Sequence, residues 1–409
     1  MTSTNRKTSR RVALVTSTVT VALAVGLGAA TPAVAAPAAP HAPLESAQAD
    51  ESLPPLDPEL FRKAIGGLPD DEVTGALVQV RGSAGEWEGT SGVGNIHTGR
   101  PVPQNARFRI GSVTKTFTAT AVLRLAGQGK IDLDRPVQDY LPGVLPADYP
   151  PVPLRTLLNH TNGLPGLEIP HKDPTWFLAH RFDTWTPDQL VRGATQGVPI
   201  RFAPGTKQEY GNVGLHVAGM LIEKVTGRPY ADAIRNGIIR PLHLTNTFLP
   251  GADVRIPGPV SRGYEAMDIG GHTVYVDVTE ANPTLQWSAS EMISNAPDLD
   301  RFAVALLGGR LTKPEQTAEL FTVPDVPMYD GDDDPSNDQP AVYSVGITRY
   351  HVGPYEFWGK TGDRPGFACA FGATRDLARR VVFSANKIHM AADQPAIAER
   401  IIAASAGIG

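Results

Sequence analysis

Between residues 113 and 125 the apolar positions Val113, Phe117, Ala121 and Leu125 recur every four residues. That period is helical. Ala119 and Val122 are apolar too, so the helix is expected to be buried on most sides. Gly127 and Gly129 end it. Strand-like patterns run over 76–81, with 86–94 as a hairpin partner, and return at 342–350, 355–360, 367–373 and 380–386. Further helical patterns cover 58–65, 154–160, 187–194, 213–225, 297–307 and 395–404. Both ends of the chain therefore read as strand plus helix, and the middle as short helices between loops. The economical packing is one sheet covered by the terminal helices, with a helical insert of roughly residues 120–321 beside it.

The N-terminus follows a different pattern. Arg6, Lys7, Arg10 and Arg11 precede an uncharged, mostly apolar run from 12 to 30, and Ala33-Val34-Ala35 offers a small-x-small cleavage site. Residues 1–35 are expected to be an export signal, which gives a secreted or extracytoplasmic protein with no stable membrane anchor after cleavage. Ser9-Arg10-Arg11 leaves the general and twin-arginine routes both open. Residues 36–56, rich in Ala and Pro, read as a flexible leader, and 57–409 as the folded domain. The formal net charge of −5 argues against a nucleic-acid partner. Cys369, the only cysteine, excludes an intramolecular disulfide and reads as a small core residue.

Two Ser-x-x-Lys matches occur, at Ser112–Lys115 and Ser384–Lys387. On a helix i and i+3 share a face, so Lys115 can reach the Ser112 hydroxyl. On a strand i and i+3 point to opposite faces, so the second copy carries no such chemistry. Ser112 taken alone also reads as a helix cap. A serine hydroxyl needs a base, and a lysine serves as one only where burial or a nearby cation favours its neutral form. The apolar helix supplies burial, and Lys360 could supply the cation.

Tyr210-Gly211-Asn212 is the only Tyr-x-Asn. In an extended loop it puts a phenol and a carboxamide on one side. The phenol could carry a proton, and the amide could bond a substrate acyl-amide. The rival reading is a turn capped by Asn212 before the 213–225 helix. Lys360-Thr361-Gly362 follows a strand. There Gly362 leaves room for substrate along the strand edge, and the N–H of Asp363 could pair with that of Ser112 as an oxyanion hole. The residues before Lys360 do not make a phosphate loop. The ten His lack metal-ligand spacing, and neither a metal nor another cofactor is expected. His160 reads as a structural hydrogen-bonding residue rather than a catalytic one. The acidic stretch 329–338 lacks the Gly and Glu of a calcium loop and reads as a solvated loop.

The order Ser112-Val113-Thr114-Lys115, Tyr210-Gly211-Asn212, Lys360-Thr361-Gly362 resembles the serine β-lactamase and penicillin-binding superfamily. The flanks 108–111, 129–134 and 157–165 add to the match. Within it, the chain resembles the class C β-lactamases and the secreted D-alanyl-D-alanine carboxypeptidases. The resemblance implies an α+β (α/β sandwich) fold: an antiparallel sheet flanked by the N- and C-terminal helices, beside a mostly helical region. It implies that Ser112 is acylated, that Lys115 and Tyr210 share acid–base work, and that Asn212 holds the substrate side-chain amide. Lys360 and Thr361 would bind the terminal carboxylate and tune Tyr210. Two positions depart from the pattern. Lys360 often has His in its place in the carboxypeptidases, and Asp363 puts an acid where a small residue is common, repelling a substrate carboxylate unless turned away or paired with Arg364. Arg349 reads equally as a carboxylate clamp or a surface arginine. The expectation is a serine D-alanyl-D-alanine carboxypeptidase acting on peptidoglycan stem peptides. A β-lactamase, an esterase on the same scaffold and a non-catalytic penicillin-binding-like sensor are the alternatives.

Overall fold

A computed structural model describes residues 53–331, 336–392 and 394–409. The expected export signal, most of the expected leader and part of the acidic 329–338 stretch lie outside the described residues. Seven strands build the main sheet: β1 (Val73–Arg81), β2 (Trp87–Asn95), β3 (Arg100–Pro101), β4 (Thr348–Val352), β5 (Tyr355–Arg364), β6 (Phe367–Thr374) and β7 (Arg380–Lys387). Their order is β3-β2-β1-β7-β6-β5-β4, every pairing antiparallel. The central strands β1, β6 and β7 are buried almost throughout, because both faces are covered.

Five helices matter for the site: α1 (Pro58–Ala64), α2 (Thr114–Gly127), α3 (Val213–Thr226), α4 (Ala296–Leu307) and α5 (Ala396–Ser405). Asp57 caps α1 through the Glu59 N–H at 2.8 Å, with Pro58 in the first turn. Helices α1 and α5 lay Phe61, Ile397 and Ile401 on one sheet face, against Val78, Val80, Ala370 and Phe383. The other face, carrying Leu77, Cys369, Phe371 and Val382, packs on α2, α3 and α4. Phe117 of α2 stacks on Phe302 of α4 at 3.7 Å between ring centroids. Side chains alternate along each strand, so this division fixes which residues of β5 can look toward α2.

The structure departs from the expected pattern in two places. The middle region contains a hairpin, Tyr264–Ile269 with His272–Asp277, joined by Gly270 and Gly271 at φ of 65° and 81°. Two successive left-handed residues make the tight turn that glycine favours. The strand expected at 342–350 forms only over Thr348–Val352. Before it, the N–H groups of Val342 and Tyr343 both donate to the Gln208 side-chain oxygen at 2.9 and 3.0 Å, and Gly346 turns the chain at φ 80°. No described helix is long and apolar enough to cross a membrane.

Candidate active site

The site forms where the start of α2 meets the end of β5. Strand β4 pairs with β5 only from Tyr355 to Gly359, so the edge from Lys360 to Arg364 extends past it. The Ser112 turn docks there. Gly111 takes φ 51° and opens a short 3-10 turn, Gly111–Val113, ahead of α2. A Cβ on Gly111 would fall 2.5 Å from the Asp363 nitrogen. A Cβ on Gly362 would fall 2.0 Å from the Ile110 carbonyl oxygen and 2.9 Å from Cys369 Sγ. The two glycines thus let the nucleophile turn press against the strand. Gly362 makes room for Ile110 rather than for substrate, a correction to the sequence reading. The cap reading of Ser112 also fails: Val113 caps α2, with no side-chain bond.

Lys115, 1% exposed, places Nζ 3.0 Å from Ser112 Oγ, 2.7 Å from Asn212 Oδ1 and 3.2 Å from the Ala289 carbonyl oxygen. Among the described residues no carboxylate pairs with it. Burial, then the positive Lys360 and Arg364, hold its pKa well below the usual lysine value. The contacts then assign the protons. Asn212 Oδ1 and the Ala289 carbonyl only accept, so they take the two protons of a neutral amine. As a charged amine Lys115 donates to Ser112 Oγ as well; once it gives up that proton, its lone pair is left toward the Ser112 hydroxyl. Asn212 does not cap α3 with its side chain. Its Oδ1 is taken by Lys115 and its Nδ2 donates to Gln286 Oε1 at 3.1 Å. It is therefore a holder of Lys115, with one amide proton left for substrate.

The Tyr210 ring lies near two amines, Lys115 Nζ at 4.9 Å and Lys360 Nζ at 4.7 Å from its centroid. His160 and Tyr343 flank it at 4.6 and 5.2 Å between rings. Burial raises the phenol, with Ser112 opposing, so Tyr210 keeps its proton at neutral pH. Its hydroxyl is buried and makes no full hydrogen bond, although Ser112 is close enough to affect it. Lys360, 4% exposed, donates to the Thr361 carbonyl at 3.3 Å and is lowered to about 8 by burial. His160, at φ 64°, accepts from the Gly211 N–H at 3.4 Å, and its carbonyl accepts from the Glu209 N–H at 2.8 Å. That brackets the Tyr210 loop from behind. Burial first, then the two lysines, keep His160 neutral.

Other expected residues lie apart. Thr361 pairs with Ala370 on the α5 face, close enough to the Tyr350 phenol to affect it. Arg349 pairs with Trp358 on β4 and does not line the cleft. The structure therefore does not bring Thr361 or Arg349 to the substrate-binding position expected of them. Asp363 bonds Lys387, not Arg364, and Lys387 is 2% exposed. So the lysine of the discarded second Ser-x-x-Lys match is the partner that restrains Asp363. The cleft beside Ser112, about 290 Å³, is lined by Tyr210, Asn212, Gln286, Lys172, Asp363 and Arg364, among others. Among the described residues no cluster of His, Cys, Asp and Glu could hold a metal.

The family model described as Beta-lactamase matches residues 61–406. A D-stereospecific amidohydrolase from Streptomyces sp. superposes with a TM-score of 0.73 at 35% identity, covering 85% of this chain and 98% of that one. The D-amino acid amidase from Ochrobactrum anthropi SV3 complexed with D-phenylalanine superposes at 0.70 and 26% identity, covering 84% and 97%. Esterase EstB of Burkholderia gladioli is 32% identical over 183 residues, 40% of this chain and 43% of the esterase. The chain spans half or less of the length of the first curated relatives it matches. With its seven-stranded antiparallel sheet, its flanking helices and a match over most of its length, the chain belongs to the Beta-lactamase family, within the serine β-lactamase and penicillin-binding superfamily of serine hydrolases.

Proposed function

We propose that the protein hydrolyses an amide bond beside a D-configured residue through an acyl-Ser112 intermediate. The D-alanyl-D-alanine carboxypeptidase expected from sequence is our choice within that class. The observation that carries the reading is Lys115: a buried amine 3.0 Å from Ser112 Oγ, with no carboxylate partner among the described residues and its pKa held well below the usual lysine value. The amidohydrolase and the amidase, similar over most of this chain, support an amide substrate of D configuration.

The chemistry follows from the proton positions. Ser112 Oγ passes its proton to Lys115 Nζ and bonds to the carbonyl carbon. The resulting oxyanion faces the Ser112 and Asp363 N–H groups. The tetrahedral centre collapses, the C–N bond breaks, and the leaving amine takes a proton from Tyr210, which Lys115 re-protonates. Water then attacks the ester carbonyl and gives a proton to Lys115; the C–Oγ bond breaks as Lys115 returns that proton to Ser112 Oγ, which frees the acid and restores the neutral amine. The export signal expected at residues 1–35 would deliver this activity to peptidoglycan stem peptides outside the cytoplasm.

The test is intact-mass analysis with a labelled penicillin, together with turnover of a D-Ala-D-Ala peptide, its L-Ala-L-Ala counterpart, nitrocefin and a short-chain nitrophenyl ester. The reading expects one adduct, lost in Ser112→Ala, and turnover of the D-peptide above the others. No adduct, or an adduct that survives Ser112→Ala, overturns it. Fastest turnover of nitrocefin or of the ester selects a β-lactamase or an esterase instead, and ligand retention without acylation selects a sensor.

A further inference from the structure

We propose that Arg364 anchors the substrate's carboxylate in the cleft beside Ser112. This rests on the D-amide hydrolase reading and names the charge its substrate carries. Arg364 ends β5, on the parity of Lys360 and Gly362, and lines the cleft. It is 7% exposed, yet its Nε is buried with no hydrogen-bond partner. Among the described residues no carboxylate lies within ion-pairing distance of it. Its neighbour Asp363 points to the opposite face and is held by Lys387.

A second buried guanidinium lies nearby, with Glu280 and Asp253 acting on it from a distance. Arg109 is 2% exposed, donates to the carbonyls of Val254, Thr279 and Ala281, and is close enough to Arg364 to feel its charge. Arg364 is lowered to about 10 by burial and stays cationic at neutral pH. Asp363 acts on Arg364 only from a distance, and a buried cation without a direct ion-pair partner is unfavourable until an anion arrives. The planar fork of a guanidinium fits a carboxylate.

The position expected for that carboxylate is dismantled here. Thr361 faces α5, while Lys360 donates to the Thr361 carbonyl. Arg364 takes over the function from further along the same strand. The remaining wall includes Phe177, Leu285 and Met390, which suit an apolar side chain. A substrate ending in a free carboxylate is therefore preferred to a neutral D-amino acid amide.

The experiment measures equilibrium binding to Ser112→Ala protein, where no acylation intervenes. The ligands are a D-Ala-D-Ala peptide with a free carboxylate and the same peptide as its C-terminal carboxamide. The free acid should bind ~10-fold tighter or more. Adding Arg364→Gln should bring the ratio to about one, and Arg364→Lys, which keeps charge but loses the fork, should retain part of it. Equal binding in Ser112→Ala, no measurable binding of the free acid, or an unchanged ratio after Arg364→Gln overturns the proposal. If melting shows that Arg364→Gln does not fold, the Ser112→Ala ratio and its Arg364→Lys counterpart decide. The penicillin adduct on wild type judges the hydrolase reading separately: an adduct with a ratio of one sinks only the anchor.

Discussion

The two Ser-x-x-Lys copies have the same spacing but different structural contexts. At the start of α2, Ser112 and Lys115 share a face, and Nζ meets Oγ at 3.0 Å. On β7, Ser384 pairs with Cys369 on the α2 face, while Lys387 turns toward the opposite face. Both lysines are nearly inaccessible, at 1% and 2%. Lys387 meets a carboxylate, Asp363, whereas Lys115 meets only a hydroxyl, an amide oxygen and a carbonyl. A buried lysine with a counter-ion becomes structure. One without it sheds its proton and becomes a base.

The largest expected effect breaks the helical copy. Lys115→Ala should slow acylation ~10³-fold while leaving substrate affinity nearly unchanged. The melting temperature should hold or rise, because an unpaired buried amine is removed. Rapid-quench acylation kinetics beside a thermal melt measure both. Equal losses of rate and affinity would point to a binding role.

Gly362→Ala attacks the docking that sets the first copy against β5. Its Cβ would sit 2.0 Å from the Ile110 carbonyl, a backbone atom that cannot swing aside. The Ser112 turn must move, and acylation should fall roughly 10²-fold through lost alignment. An unchanged rate would show that the turn has slack.

Lys387→Ala breaks the strand copy. It strands Asp363 beside the cleft, and because that carboxylate is 32% exposed the cost should be about 2 kcal/mol, below that of a fully buried pair. Chemical denaturation reads it. A catalytic loss as deep as that of Lys115→Ala would erase the distinction between the copies.

Glu291 sharpens the rule away from the cleft. Burial raises it to about 8, and no cation pairs with it. Like Lys115 it is neutral, though by keeping its proton. Below the free value both states are protonated and the group has no effect. Between there and about pH 8 the unfolded chain releases a proton the native state retains, so stability drains as pH rises. Glu291→Gln should be near-neutral at pH 4 and stabilising by about 1–2 kcal/mol at pH 8, with acylation unaffected. A pH-independent difference would contradict this.

Much of the site was legible because its chemistry is local. The Ser112–Lys115 pair follows from helix geometry alone, and apolar spacing marked α2, α3 and β5–β7 closely. What escaped needed the third dimension. Strand parity says that Lys360 and Thr361 diverge, but only packing shows that Lys360 faces α2 and Thr361 faces α5. Asn212 looked like a cap or an amide hook until Lys115, 97 positions away, took its oxygen. Lys387 was set aside with its serine, since pairing it with Asp363 requires knowing which face of β7 meets which face of β5. The Gly270-Gly271 turn was a readable hairpin signal inside a region read as short helices between loops.

The central claim is that Lys115 is neutral and takes the Ser112 proton. The pH dependence of acylation by a labelled penicillin, from pH 5 to 10.5, tests it most directly. The account predicts an acid limb far below the ordinary lysine value, full rate at neutral pH, and a decline near pH 8 as Lys360 loses its charge. A rate that keeps climbing to about pH 10 would mean Lys115 is an ordinary charged lysine, and would contradict the account.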